Sequence, residues 1–228
     1  MTTPPLAGIR AAVFDAYGTL FDYNSAAQRY RAELGDKADR LSHLWRDKQL
    51  QYTWLRALMG RHADFWQVTS EALDYVLETL GLADAALKER LMSGYLTLDC
   101  FPEVPALLAH LKAAGMTTAI LSNGSPRMLA AAVEGGHLGG LLDAVLSVEE
   151  VGVFKPHPKV YQLAVDRLGV PAEAIVFQSS NAWDAHAAAV FGFKVVWCNR
   201  YGQRPERLPG RPDAEVRSLA ELAALLGL

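Results

Sequence analysis

The chain has 228 residues, 51% of them hydrophobic, which suits one large domain or a core carrying an inserted subdomain. Its 22 basic and 25 acidic residues leave a formal charge of -3 without a concentrated basic stripe, so nucleic acid is excluded as an expected partner. The opening MTTPPLAGIR lacks a cationic region followed by an apolar stretch, and no run reaches the length of a membrane span; a soluble, unexported, cytoplasmic protein with no membrane partner is expected.

In chain order, residues 9 to 14 (IRAAVF) form an apolar run broken by Asp15 and Gly18, the pattern of a buried strand ending in a polar loop. From about residue 24 to 98 the pattern is helical, with Gly60 and Gly81 where helices should stop, and this predicts an all-helical insertion. A helix at Glu103 to Ala114, stopped by Gly115, precedes the strand TTAIL at 117 to 121. Then follow a helix at 126 to 134, a strand near 143 to 148, a helix at 158 to 168, a strand at 175 to 178, a helix at 184 to 191 and a strand at 194 to 197. The Pro/Arg-rich piece at 203 to 212 reads as a surface loop before a final short helix. Strands alternating with helices predict an α/β fold, a Rossmann-like parallel sheet flanked by helices, with core residues 1–20 and 100–228 and a helical cap at 21–99. Cys100 and Cys198, with no CxxC and no Cys/His cluster, read as buried small hydrophobes and indicate neither a disulfide framework nor zinc.

Open parallel sheets bind ligands at the carboxyl ends of their strands. The polar residues there are Asp15 after the first strand, Ser122 and Asn123 after TTAIL, and Ser179, Ser180 and Asn181 after IVFQ, with Lys155 in the loop beyond the strand near 147. A lone Asp after a strand can simply cap a turn. In Phe14-Asp15-Ala16-Tyr17-Gly18-Thr19, however, Asp-x-x-Gly-Thr resembles the nucleophile loop of the haloacid dehalogenase superfamily, where the glycine permits a tight loop and the threonine hydroxyl holds the aspartate.

Most members of that superfamily are Mg²⁺-dependent phosphatases whose loop carries a second Asp, two residues on, as general acid; Tyr17 occupies that place here. A phosphatase lacking this acid forfeits on the order of a hundredfold or more, whereas a halide leaves without a proton. The phosphatases also hold Mg²⁺ with carboxylates after the fourth strand, and this chain reads Ser179-Ser180-Asn181-Ala182-Trp183-Asp184. Neutral hydroxyls and amides replace the missing charge poorly, so no metal and no cofactor is expected. Lys155, in FKPHP, is the cation expected to keep Asp15 ionised, and its order between the other segments resembles the third motif of the superfamily.

Five segments in order, DAYGTLFD, LWRDKQLQYTWLRALM, LSNGSP, FKPHP and SSNAWD, are similar to the L-2-haloacid dehalogenases over residues 9 to about 200. The resemblance implies a helical cap inserted after strand one, a homodimer, and metal-independent conversion of a small 2-halocarboxylate from the (S)-2-haloacid to the (R)-2-hydroxyacid. Carried over residue by residue, it implies Asp15 as nucleophile, and Arg46, Asn123 and Trp183 as the halide cradle. Tyr17, Leu50, Phe65 and Trp183 would form the apolar wall, and Ser122, with backbone N–H groups near Ala16 and Tyr17, would hold the substrate carboxylate. Thr19 would hold Asp15, and Lys155, Ser179, Asn181 and Asp184 would position the hydrolytic water, with Asp184 as its base. Tyr161 would orient Lys155 or Arg46; a core tyrosine is the plain alternative, as plain core is for Phe65 and Trp183.

On a helical wheel, Leu41, Leu44, Trp45, Lys48, Tyr52, Leu55 and Met59 form a stripe expected to pack on protein, opposite Arg46, Leu50, Thr53 and Ala57. Asp47 is a departure from the family pattern; a carboxylate there could pair with Arg46 and weaken its hold on halide, which bears on substrate range. Three rival readings stay open: a Mg²⁺-dependent phosphatase on the same fold, a hydrolase opening the ring of azetidine-2-carboxylate by the same attack, and a non-catalytic binding module.

Overall fold

A computed structural model describes residues 6–228, so the first five residues of the expected core lie outside the described residues. The chain opens with β1 (Ala11–Phe14), turns into the short β2 (Phe21–Asp22), and leaves for five helices: α1 (Ser25–Gln28), α2 (Arg31–Leu34), α3 (Lys37–Met59), α4 (Phe65–Thr79) and α5 (Ala85–Gly94). It returns through β3 (Asp99–Cys100), antiparallel to β2, so a two-stranded neck joins the helical segment to the sheet. Then come α6 (Val104–Ala113), β4 (Thr117–Ser122), α7 (Pro126–Gly135), β5 (Ala144–Ser147), α8 (Pro158–Leu168), β6 (Ile175–Ser179), α9 (Ala182–Phe191), β7 (Lys194–Cys198), β8 (Ala214–Val216) and α10 (Leu222–Leu226).

The sheet has six parallel strands in the order β5-β4-β1-β6-β7-β8, flanked by helices as the alternating pattern predicts. β1 is fully buried and central, which is why it reads as an unbroken apolar run instead of an alternating one. Phe14 is in register with Ile120 of β4 and Gln178 of β6, so the next residues on all three strands emerge together at the carboxyl edge. The chain switches direction across the sheet on either side of β1, and that crevice is where a ligand belongs. Among the described residues no helix is long and apolar enough to cross a membrane.

Three features depart from the sequence reading. β8 pairs with β7 beyond the surface loop, a strand too short to announce itself by pattern. Cys198 is buried in β7, but Cys100 is only half-buried in the neck. The largest correction concerns α3, where the buried face runs through Ala38, Leu41, Ser42, Trp45, Arg46, Gln49 and Thr53, while Leu55 and Met59 of the expected inward stripe are 45% and 63% exposed. A wheel weighs apolarity alone, whereas these polar side chains are inside because they find partners. Gln49 donates to Thr69 Oγ1 at 2.9 Å and accepts from the Tyr95 hydroxyl at 3.0 Å, and Trp45 Nε1 donates to the Thr69 carbonyl at 2.9 Å. Lys48 lies instead over the Tyr75 ring, 4.1 Å from its centroid.

Gln49→Ala strips partners from Thr69 and Tyr95 in a closed interior, and is expected to lower stability by about 1–3 kcal/mol. Urea unfolding measures it; a loss below about 0.5 kcal/mol, as for a solvated surface residue, would contradict the buried face of α3 described here.

Candidate active site

β1 ends at Asp15, whose backbone N–H continues the ladder to the Gln178 carbonyl at 2.9 Å. The chain then folds back so tightly that Leu20 and Phe21 both donate to the Ala16 carbonyl, at 2.9 and 3.0 Å. Gly18 makes the turn with φ +88°, and a side chain there would meet Tyr23 at 3.2 Å. The loop leaves the backbone N–H groups of Ala16 and Tyr17 with no hydrogen-bond acceptor among the described residues, beside the aspartate. It also returns Thr19 toward Asp15: Thr19 Oγ1 donates to Asp15 Oδ2 at 3.3 Å and accepts the Ser180 N–H at 2.8 Å, tying β1 to the end of β6.

Lys155 is 1% exposed and its ammonium bridges two carboxylates, Asp15 Oδ1 at 3.1 Å and Asp184 Oδ2 at 2.8 Å. Burial opposes its charge, but Asp15 and Asp184 outweigh burial and push its pKa above the ordinary 10.5, so it is an ammonium at neutral pH. Asp184, at 0% exposure, is pushed up from 3.8, first by burial and then by Asp15, with Lys155 pulling the other way. The backbone N–H of Lys155 donates to Asn123 Oδ1 at 3.0 Å, so the residue after β4 fixes the loop that delivers the cation.

Asn181, at the start of α9, joins the two halves of the molecule. Its Nδ2 donates to Asp15 Oδ2 at 2.8 Å and its Oδ1 accepts from Arg46 Nη2 of α3 at 3.2 Å. Arg46 is buried, lies over the Tyr23 ring at 5.1 Å, and its Nε is buried without a partner. Asp15, Thr19, Lys155, Asn181, Asp184, Tyr161 and Arg46 are thus brought into one hydrogen-bonded network. Ser179 supports it from beneath by accepting the Asn181 N–H at 3.1 Å, and Ser122 accepts the Gly124 N–H at 3.1 Å at the end of β4.

Tyr17 and Phe65 pack with ring centroids 5.8 Å apart, and the Tyr17 hydroxyl is buried without a partner. Leu50 lies one turn beyond Arg46 on α3 and is half-buried. Trp183 Nε1 is also buried and unpartnered, and no hydrogen bond ties Trp183 or Leu50 to the network. Gly124 lies against Tyr17, where an added Cβ would sit 2.8 Å from the phenol oxygen.

Two expectations are corrected. The Tyr161 hydroxyl donates to Asp184 Oδ1 at 2.7 Å, so it orients neither Lys155 nor Arg46 directly; both oxygens of Asp184 therefore carry a hydrogen bond. Asp47 is exposed and forms no pair with Arg46, because consecutive residues leave a helix about 100° apart. Sequence reasoning missed Tyr23 and Tyr95 around Arg46, and Trp54, whose ring meets Trp183 edge-on at 5.4 Å. Only the aromatic content of the flanking segments hinted at them.

Among the described residues no cluster of three or more His, Cys, Asp or Glu is arranged to hold a metal ion, and the space between the two converging carboxylates is filled by the Lys155 ammonium. The arrangement can present a carboxylate, held in place by an ammonium and an amide, to an electrophile lying between it and a buried guanidinium.

Residues 9–192 match the family of haloacid dehalogenase-like hydrolases. The chain is 49% identical over 219 residues to (S)-2-haloacid dehalogenase 1 of Pseudomonas sp. (strain CBS-3), covering 96% of both chains. It is 48% identical to (S)-2-haloacid dehalogenase 4A of Burkholderia cepacia, over 96% of this chain and 95% of the relative. Its fold superposes with a TM-score of 0.90, at 40% identity and over 96% and 98% of the two chains, on an L-2-haloacid dehalogenase of Xanthobacter autotrophicus solved with chloropropionic acid covalently bound.

The two pKa shifts give a stability test. Lys155 is shifted up, so its contribution is complete below 10.5 and disappears only as pH rises past the shifted value. Asp184 is also shifted up, so folding favours its protonated form: that contribution is complete below 3.8 and is given up as pH rises. Lys155→Met, which leaves two buried carboxylates facing each other, is expected to lose about 3–5 kcal/mol, more at pH 8 than at pH 5, in urea unfolding. Adding Asp184→Asn should recover part of it; a loss independent of pH would mean that the ammonium does not neutralise these acids.

Proposed function

The chain belongs to the haloacid dehalogenase-like hydrolases, and from that premise we propose that it is a hydrolytic dehalogenase converting small (S)-2-haloacids to (R)-2-hydroxyacids through an ester of Asp15. The observation that carries the reading is the single carboxylate held between Lys155 and Asn181, with Arg46 attached to the same amide.

In the first step an Asp15 oxygen attacks C2 from the side opposite the halogen. The new C–O bond forms as the C–X bond breaks, the bonding pair leaves with the halide, and C2 inverts once. Arg46, Asn123 and the unpartnered N–H of Trp183 receive the halide. Ser122 and the free N–H groups of Ala16 and Tyr17 hold the substrate carboxylate, while Tyr17, Leu50, Phe65 and Trp183 surround its alkyl side.

In the second step water adds to Asp15 Cγ, with Asp184 accepting a proton, and the tetrahedral oxyanion is stabilised by Lys155 and Asn181. Collapse expels the 2-hydroxyacid oxygen, which is protonated, and the net reaction of halide displacement by water releases one proton. Asp184 suits this task because burial has raised its basicity while Tyr161 and Lys155 fix its plane. Thr19 and Ser179 act by position, through Asp15 and Asn181. No metal or cofactor takes part in these steps.

The helical segment, residues 21–99, serves as a cap that closes Arg46 over the sheet edge. The reading includes a homodimer acting in the cytoplasm; a dimer on the outer face of α3 and α4 would cover Leu55, Met59 and Tyr75, which are exposed here.

A single turnover of excess enzyme with (S)-2-chloropropionate in ¹⁸O-water is expected to put the label in Asp15 and leave the lactate unlabelled. Label appearing directly in lactate would mean that water attacks C2. Asp15→Asn should lower kcat at least about a thousandfold, read as halide release.

A further inference from the structure

Against the nucleophile loop lies another cation, Arg200, that the steps above do not use. It stands two residues beyond β7, and its guanidinium reaches two acceptors at once: Nη2 donates to the Thr19 carbonyl at 2.8 Å and Nη1 to Glu103 Oε1 at 2.5 Å. The guanidinium carbon lies over the Phe101 ring, 3.9 Å from its centroid. We propose that Arg200 is a positioning residue of the reaction: by holding the Thr19 carbonyl it sets the reach of the Thr19 hydroxyl, and so the aim of Asp15. The inference rests on the dehalogenase reading and adds a residue to the same site.

These contacts converge where the helical segment meets the sheet. Thr19 stands just before β2, by which the chain leaves for the helices, and Phe101 and Glu103 stand just after β3, by which it returns. Between them the Phe101 N–H donates to the Leu20 carbonyl at 2.9 Å. Arg200 therefore grips both crossings, from a stretch of backbone anchored to the edge strand: the Asn199 N–H donates to the Val216 carbonyl of β8 at 2.8 Å. Glu103 also accepts from the Ser218 hydroxyl at 3.2 Å. Burial opposes its charge, but the hydrogen bonds and the charge of Arg200 outweigh burial and hold its pKa below the ordinary 4.5, so the pair is ionic at neutral pH.

A counter-ion for Glu103 alone would need only a positive charge. The arrangement uses more, a planar fork with one nitrogen on each acceptor and an aromatic ring against its face, which a lysine ammonium does not reproduce. Thr19 is also where a small displacement matters most, because its Oγ1 donates to Asp15 Oδ2 and accepts the Ser180 N–H. At 3.3 Å the contact with Asp15 is longer than the usual hydroxyl bond of about 2.7 Å, so it has little slack. If the Thr19 backbone moves outward, Asp15 keeps Lys155 and Asn181 but loses the one side-chain contact that comes from its own loop.

The test is single-turnover halide release from saturating (S)-2-bromopropionate, with KM and the urea midpoint measured beside it. Arg200→Lys keeps a charge beside Glu103 and so keeps the fold, and Arg200→Met combined with Glu103→Gln removes both charges together and leaves neither unpaired. Both are expected to slow the single turnover about ten- to a hundredfold, with KM within about threefold. In a Thr19→Val background, where the hydroxyl is already absent, the same changes should cost less than about threefold. A lower urea midpoint with an unchanged turnover rate in either variant would reduce Arg200 to a structural ion pair. A loss of the same size with and without the Thr19 hydroxyl would show that it does not act through Thr19, and either result overturns the proposal. Absence of halide release from the wild type would instead refute the dehalogenase reading itself.

Discussion

The site depends on an ammonium shut away from bulk solvent. Lys155 is held at the end of its stem between Asp15 and Asp184, and each carboxylate is tolerable in the interior only because the cation is there. Burying any one of these charges alone would cost several kcal/mol. Together they specify how β1, the loop after β5 and the first turn of α9 must sit, since the ammonium reaches both acids only when all three are in register. The Phe177 ring, 4.8 Å from the same nitrogen, extends this attraction into the sheet.

The helical segment adds the second cation. With Arg46 in place, two acids face an ammonium and a guanidinium, so the site's own groups can admit an anionic substrate without net repulsion. The geometry divides labour between these cations. In the proposed reaction Lys155 lies against the nucleophile, where it would meet the oxyanion, while Arg46 lies across the amide from it, where negative charge would accumulate as a leaving group departs. His62 and Glu149 form a further contact, at 2.8 Å, between the α3–α4 loop and the segment after β5, with the His62 ring against Phe154.

Much of this was legible in the sequence because the sheet imposes it. An apolar run ending in Asp-x-x-Gly-Thr can hardly be anything but a central strand and a tight loop, and Lys155 and Asn181 follow from where the next strands end. Features set by side-chain partners were less legible. The inward face of α3 was misread in part because Gln49 looks like a surface residue until Thr69 and Tyr95 are brought to it by chain segments 20 and 46 residues away. The partner of Tyr161 and the isolation of Asp47 belong to the same class: they depend on side-chain direction, which residue type does not encode. β8 escaped because three residues carry too little periodicity.

The single amide of Asn181 has a consequence for when the enzyme is armed. Because one end grips the nucleophile and the other grips the guanidinium, lifting the helical segment away from the sheet removes the tether that keeps the amide from swivelling. It follows that the amide's hold on Asp15 is fixed only while Arg46 is in place, whereas the contacts from Lys155 and Thr19 come from the core alone. Aiming of the amide and enclosure by the helical segment are then one event.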